Sequence, residues 1–258
     1  LAAALGTIVF GTFGINLGYH RLLSHRSLSV PSWFERILAT LAVCSLEDTP
    51  SRWVANHRLH HCHSDDDPDP HSPRDGVAWS HMGWLFRRAP QRRSLDFLDR
   101  YARDVLVDPY YRALEQYPTA VLWIYISHAI GFGVFGLLLG RWISGDWTSG
   151  IQLAVSLMVW GVFVRTVLVW HITWSVNSLT HLFGYRTYST GEDSRNNWLV
   201  ALLAMGEGWH NNHHHDPASA STQHKWWEFD VTYYAILLLK SLGIASDVIQ
   251  PRHMRQKR

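Results

Sequence analysis

Three stretches of this 258-residue chain carry almost no charge, and they restrict its fold more than any other feature. Leu1 to Tyr19 has no charged side chain and runs directly into His20. Thr119 to Gly140 is a second such run, between Pro118 and Arg141, and Ile151 to about Val169 is a third, interrupted by Arg165. The bilayer interior takes about 20 apolar residues per helical crossing, and it has no water to pair with an open backbone. The runs therefore predict transmembrane α-helices, with a buried core helix as the alternative for the first. Arg165 falls about 21 Å along its helix at 1.5 Å per residue, which suits a side chain snorkelling to the exit side. Gly145, Asp146 and Gly150 in the link predict a tight hairpin between the second and third spans.

Orientation follows from the cations near the span ends. Arg21, Arg26 and Arg36 follow the first span, Arg112 and Arg186 flank the later pair, and Arg141 alone lies in the hairpin. The positive-inside rule then puts residues 20–118 and 171–258 in the cytoplasm, in the bacterial inner membrane or the endoplasmic reticulum. Three spans leave Leu1 outside, and a start on a bare Leu predicts that an upstream segment, including a further span, is missing; no signal-peptide pattern is present. The chain reads as one membrane unit over 1–258. Its spans are 1–19, 119–140 and 151–170, with cytosolic parts at 20–118 and 171–258. Pro31–Leu46, Trp198–Met205 and Tyr233–Leu242 are apolar but short, and suit interfacial or core helices. Asp65–Pro73 reads as an irregular loop whose acidic run is solvated or docks a basic partner. A net charge of +2 gives no basic excess for nucleic acid, and Cys44 and Cys62 offer no disulfide framework.

Against this background 17 histidines require explanation. His20 and His25 are five apart and cannot share one α-helical face, so a common site requires the helix to end between them. His57, His60 and His61 stand at i, i+3 and i+4, on one face, and His210, His213 and His214 repeat that spacing before Pro217 stops the helix. Eight imidazoles exceed what one ion coordinates, which favours two ions, while imidazole alone leaves Fe, Zn, Cu and Ni open. Two H-x-x-H-H patterns and a third pair on the same membrane edge argue against chance surface histidines.

The segments GYHRLLSHRS, HRLHH with DPHSPRDGVAWSHMGWL, NSLTHLFGYR and GEGWHNNHH, from about Gly18 to His214, together resemble the acyl-CoA desaturase family of the stearoyl Δ9 type. The resemblance implies an all-α integral membrane fold, with four transmembrane helices beneath a helical cytosolic cap that holds a di-iron site. It implies two Fe ions held by His20, His25, His57, His60, His61, His210, His213 and His214, with His181 as a ninth ligand and Asn177 reaching one iron through water. Trp53 and Thr173 match positions lining the family's bent acyl tunnel. Asn56 stands where the animal enzymes carry an acid that helps hold CoA, so acyl-CoA, acyl carrier protein and a lipid head group remain open as the carrier.

The implied reaction is O₂-dependent insertion of a cis double bond, Δ9, into a saturated acyl thioester, acyl-CoA foremost. Electrons come from a separate ferredoxin, rubredoxin or cytochrome b5 type donor. Two rivals stand beside it: a di-iron hydroxylase of alkyl, acyl or sterol substrates, and a non-enzymatic metal transporter. Transport sites belong near the bilayer midplane, whereas these histidines lie beyond the span ends. Of the others, His63, His71, His81 and His215 are expected to orient ligands, and His128 to face the protein interior from mid-span. His171, His224 and His253 are expected to be structural or exposed, and the Arg252–Arg258 tail to meet solvent or lipid head groups.

Overall fold

The computed structural model describes residues 1–87 and 89–255. Among them all regular structure is helical. The uncharged runs become the long helices α1 (Ala2–Ser24), α6 (Thr119–Ser144) and α7 (Trp147–Leu182), each long and apolar enough to cross a membrane. Between them lie α2 (Ser32–Val43), α3 (Pro50–His63), α4 (Leu95–Leu106) and α5 (Pro109–Gln116). After α7 come α8 (Trp198–Leu203), α9 (His210–His215), α10 (Val231–Ser241) and α11 (Arg252–Arg255). Side-chain caps start several of them: Thr49 for α3 ahead of Pro50, Ser94 for α4, Asp108 for α5, Asp146 for α7 and Asp230 for α10.

On α6 the outward residues Trp123, Ile130, Phe135, Leu138 and Trp142 are exposed and apolar, the reverse of a water-soluble helix. The hairpin turns at Gly145, in the left-handed conformation that glycine favours, and α6 and α7 then pack backbone to backbone. A Cβ on Gly140 would stand 2.8 Å from the Gly150 Cα, and one on Gly136 would stand 2.7 Å from the Ala154 Cα. Small residues let spans approach where dispersion replaces the hydrophobic effect. One buried cluster joins Ile15, Tyr19 and Leu23 of α1 to Ala39, Ala42 and Val43 of α2, Val54 and Ala55 of α3, and Leu98 and Val105 of α4.

One expectation is refined here and two are corrected. The first helix does end between His20 and His25, at Ser24, but its last turns are not α-helical. Thr7–Ser24 has the wider π geometry, and the His25 N–H donates to the His20 carbonyl at 3.1 Å. An i→i+5 bond stacks residues five apart, which is how both imidazoles reach one place. Arg165 does not snorkel; it is fully buried, donating to the carbonyls of Gly161 and Cys44 and reaching His128 Nε2 at 2.7 Å. The acidic run is no solvated loop, because Asp65 and Asp69 are buried while Asp66 and Asp67 are exposed. At the C-terminus Arg252 and Arg255 are exposed as expected, and Arg255 also pairs with buried Asp216 at 2.6 Å; residues beyond 255 lie outside the described ones.

Gly140→Leu should separate the α6–α7 hairpin and cost about 1–3 kcal/mol, the range for overpacking. A thermal midpoint in detergent equal to the parent's would refute that backbone contact.

Candidate metal centre

Two helices with the same histidine spacing face each other, and each divides its imidazoles. From α3, His57 and His61 (i, i+4) join His20, His25 and His213 in a group of five. From α9, His210 and His214 (i, i+4) join His60 and His181 in a group of four. Each helix thus gives two imidazoles to one group and its third, His60 or His213, to the other. The Nε2 atoms of His57 and His61 are 3.1 Å apart, and those of His210 and His214 are 3.0 Å apart. Cross-element pairs are as close: His20–His213 at 3.0 Å, His25–His57 at 2.8 Å, His60–His214 at 3.3 Å and His210–His181 at 3.1 Å.

The opposite ring nitrogens explain why these separations call for a cation. His20 Nδ1 lies 2.9 Å from Glu207 Oε2, His60 Nδ1 2.9 Å from Asp69 Oδ2, and His181 Nδ1 2.9 Å from Asp65 Oδ2. A carboxylate only accepts, so each Nδ1 carries the proton and each Nε2 presents a lone pair. Converging lone pairs repel unless a positive ion lies between them. Nitrogens about 2.1 Å from one ion, and at right angles about it, stand about 3.0 Å apart. The spacing fits imidazoles gathered for two metal ions.

The electrostatics point the same way. Burial, then the charges of neighbouring imidazoles, hold His25, His57, His61, His210, His213 and His214 well below the usual 6.5. Neutral imidazole is the form that binds metal. Burial alone would raise the carboxylates, but their partners outweigh it. Arg21 and His20 bring Glu207 down to about 2, and His60 holds Asp69 well below the carboxylate range.

The surrounding structure fixes these groups. Arg21, fully buried at the end of α1, donates to Glu207 at 2.7 Å and to Asp230, the cap of α10, at 2.9 Å. Asn211 and Asn212, between the α9 histidines, are buried locks: Asn211 Oδ1 accepts from the Thr187 and Tyr188 N–H groups, and Asn212 Nδ2 donates to Glu228. Trp53 stacks on His57 with ring centres 5.0 Å apart. Asn177, one turn before His181 on α7, lines the adjoining space with Thr173. That space is a cavity of about 490 Å³ lined by Leu46, Glu47, Trp53, His57, Thr173 and Asn177. It adjoins a narrow apolar slot running along α1 past Gly11 and Ile15 to Thr7. Asn56 lies at the other end, with Arg52, Arg87 and Arg93.

A family model described as fatty acid desaturase matches residues 1–236. The chain is 44% identical to the sn-1 stearoyl-lipid 9-desaturase of Anabaena variabilis over 240 residues, covering 93% of this chain and 80% of that protein. It is 41% identical to the sn-2 palmitoyl-lipid 9-desaturase of Nostoc sp. (strain 36), over 96% of this chain and 82% of the relative. It is also 39% identical to an acyl-CoA 5-desaturase of Anemone leveillei, over 97% of this chain and 71% of the relative.

The chain belongs to the fatty acid desaturase family.

In this desaturase the structure gathers all nine histidines marked from the sequence. It also shows what sequence reasoning missed: Asp65, Asp69 and Glu207, which orient them, and Arg21, which holds Glu207. Nothing in the sequence separates Asp65 and Asp69 from the exposed Asp66 and Asp67 of the same run. Of the neighbouring histidines, His71 packs against His60 with ring centres 4.4 Å apart. His81 instead pairs with His171 and Ser178, His215 stacks on Tyr188, and His63 joins neither group.

Asp65→Asn and Asp69→Asn should each weaken metal retention about 10–100-fold, the usual cost of losing a partner that orients a ligand. Metal content after a chelator challenge measures it, and parental retention would rule the roles out. Acid should also destabilise the metal-stripped protein. Its six lowered imidazoles bind protons below 6.5 only when unfolded, so their contribution is present above 6.5 and lost as pH falls. The thermal midpoint should drop between about pH 7.5 and about pH 5.5; a level or rising midpoint contradicts the burial argument.

Proposed function

We propose that this desaturase uses two iron ions and O₂ to place a cis double bond at C9 of a saturated acyl chain. His20, His25, His57, His61 and His213 would hold one iron. His60, His181, His210 and His214 would hold the other, with Asn177 completing it through water. The observation that carries the reading is the cavity. Trp53, His57, Thr173 and Asn177 line both its wide and its narrow limbs, so a chain threaded through it passes directly by the imidazoles.

An unactivated methylene has no acidic proton, and no side-chain base can start this reaction. The bound irons would supply O₂ activation strong enough to take hydrogen from such a carbon, two substrate hydrogens and two external electrons with two protons reducing O₂ to water. The protein's own part is to bind and align. The apolar slot along α1 holds the methyl end, Trp53 and Thr173 shape the passage, and the buried carboxylates keep the imidazoles aimed. The ligands rather than a general base carry the chemistry. The family match favours this over hydroxylation or transport.

The site faces the cytoplasm on the arginine distribution, and a separate ferredoxin, rubredoxin or cytochrome b5 type protein supplies electrons. For the carrier, Arg87, Arg92 and Arg93 at the cavity mouth suit a phosphate-bearing group, which supports acyl-CoA. The relatives named for lipid-bound chains support a second reading, a glycerolipid carrier. Membranes supplied with donor and labelled stearoyl-CoA, or with labelled stearoyl lipid, separate the two by where labelled oleate first appears.

Expressed with a donor and iron, the chain should raise cis-9 monounsaturated fatty acids by gas chromatography with mass spectrometry. His57→Ala and His213→Ala should abolish the rise. An alcohol as main product would favour hydroxylation, and an unchanged double-bond content in iron-loaded cells would refute the proposal.

A further inference from the structure

Between α2 and α3 the chain turns through residues 44–49, with Leu46 and Asp48 in the left-handed conformation at φ 56° and 74°. Neither is glycine, and such strain persists only where the surroundings over-determine it. Here two spans supply the bracing. From α7, Arg165 Nη1 donates to the Cys44 carbonyl at 2.9 Å and reaches Ser45 Oγ at 3.3 Å, and the Trp170 indole donates to the Ser45 carbonyl at 2.6 Å. From α1, the Tyr19 hydroxyl donates to the Asp48 carbonyl at 3.2 Å.

Arg165 has no other evident purpose. Its remaining partners among the described residues are neutral: the Gly161 carbonyl, His128 Nε2 at 2.7 Å, and the Phe10 ring 3.9 Å beneath the guanidinium. A buried cation at membrane depth without a counter-charge is costly and marks a function. Its setting is the carboxyl end of α2, where the helix dipole favours a cation and where Arg165 and Trp170 satisfy the Cys44 and Ser45 carbonyls.

The braced turn puts Leu46 and Glu47 into the wall of the wider cavity, beside Trp53, Thr173 and Asn177. Glu47 Oε2 accepts from the Trp53 indole at 3.1 Å, and its Oε1 is buried without a partner. Trp53 in turn stacks on His57, so a shift of the turn would move the passage relative to the imidazoles. We propose that Arg165, with Trp170, is a positioning residue for substrate: by holding the 44–49 turn it fixes Leu46 and Glu47, and through them the carbon pair presented to the metal centre. The proposal rests on the desaturase reading.

The test expresses the full chain, Arg165→Met and Trp170→Phe in a host supplying palmitoyl and stearoyl chains. It reads double-bond positions by mass spectrometry beside the iron-to-protein ratio. A misplacement near 1 Å far from the chemistry moves rates by up to about 100-fold, so minor positional isomers should rise roughly tenfold in Arg165→Met. Loss of one hydrogen bond predicts a rise of roughly threefold in Trp170→Phe. Iron content should stay at the parental level in both. If Arg165→Met does not accumulate, Trp170→Phe decides, since it removes one N–H and leaves Arg165 and its own hydrogen bonds in place. Iron-loaded variants with the parental isomer pattern overturn the positioning role. A parent that makes no double bond overturns the desaturase reading itself.

Discussion

The structure depends on keeping unprotonated ring nitrogens pointed at one another. Nine imidazoles gather in two groups, and a cation in each group would offset the repulsion of the lone pairs that converge there. The carboxylates behind them are therefore part of the site. Asp65, Asp69 and Glu207 each hold an Nδ1 proton, which fixes the tautomer and leaves Nε2 free. Glu207 is held in turn by Arg21, and Arg21 by Asp230 at the start of α10. A charge laid down at the end of the first span thus reaches the start of α10, and the site and the fold cannot be separated.

Much of this was legible because helix periodicity is local. The i, i+3, i+4 spacing puts His57, His60 and His61 on one face, and uncharged runs mark the spans because the bilayer tolerates little else. Local reasoning stopped where contacts became long-range. His181 was marked only through family resemblance, for nothing in its neighbourhood distinguishes it from a histidine ending a span. Asp65 meets His181 across 116 residues, and a run of aspartates looks solvated until a distant helix buries two of them. The π geometry of α1 was also illegible. The spacing of His20 and His25 requires the helix to end between them, which it does at Ser24, but nothing local shows that a wider last turn brings the two rings together.

The membrane both requires and limits this arrangement. Helix α7 runs from Trp147 to Leu182, longer than a bilayer crossing, so one rod carries lipid-facing residues at one end and Thr173, Asn177 and His181 at the other. Movement of the rod within the bilayer would be felt at the metal centre. Arg165 and Trp170, midway along it, tie it to the end of α2, and Gly136 and Gly140 lock it against α6. Rigidity matters here because the reaction distinguishes one methylene pair from neighbours of identical chemistry. Only position can tell them apart.

The division of the two H-x-x-H-H helices explains why the motif appears twice. A single helix of this spacing could surround one ion with three imidazoles from one side. Facing helices that each give an i, i+4 pair to one group and the intervening i+3 residue to the other interlock the two groups, and α1 and α7 complete them from opposite flanks. Neither group can then be assembled without the other. A pair of metal positions built this way forms as one unit with the folded cap, and its spacing is set by the separation of α3 and α9 rather than by a bridging side chain. This is an alternative to the carboxylate-bridged helical bundles, in which Glu-x-x-His pairs do the same work. Here the carboxylates stand one step outward, on the far side of the imidazoles, where they orient the rings and leave the inner ring nitrogens facing one another.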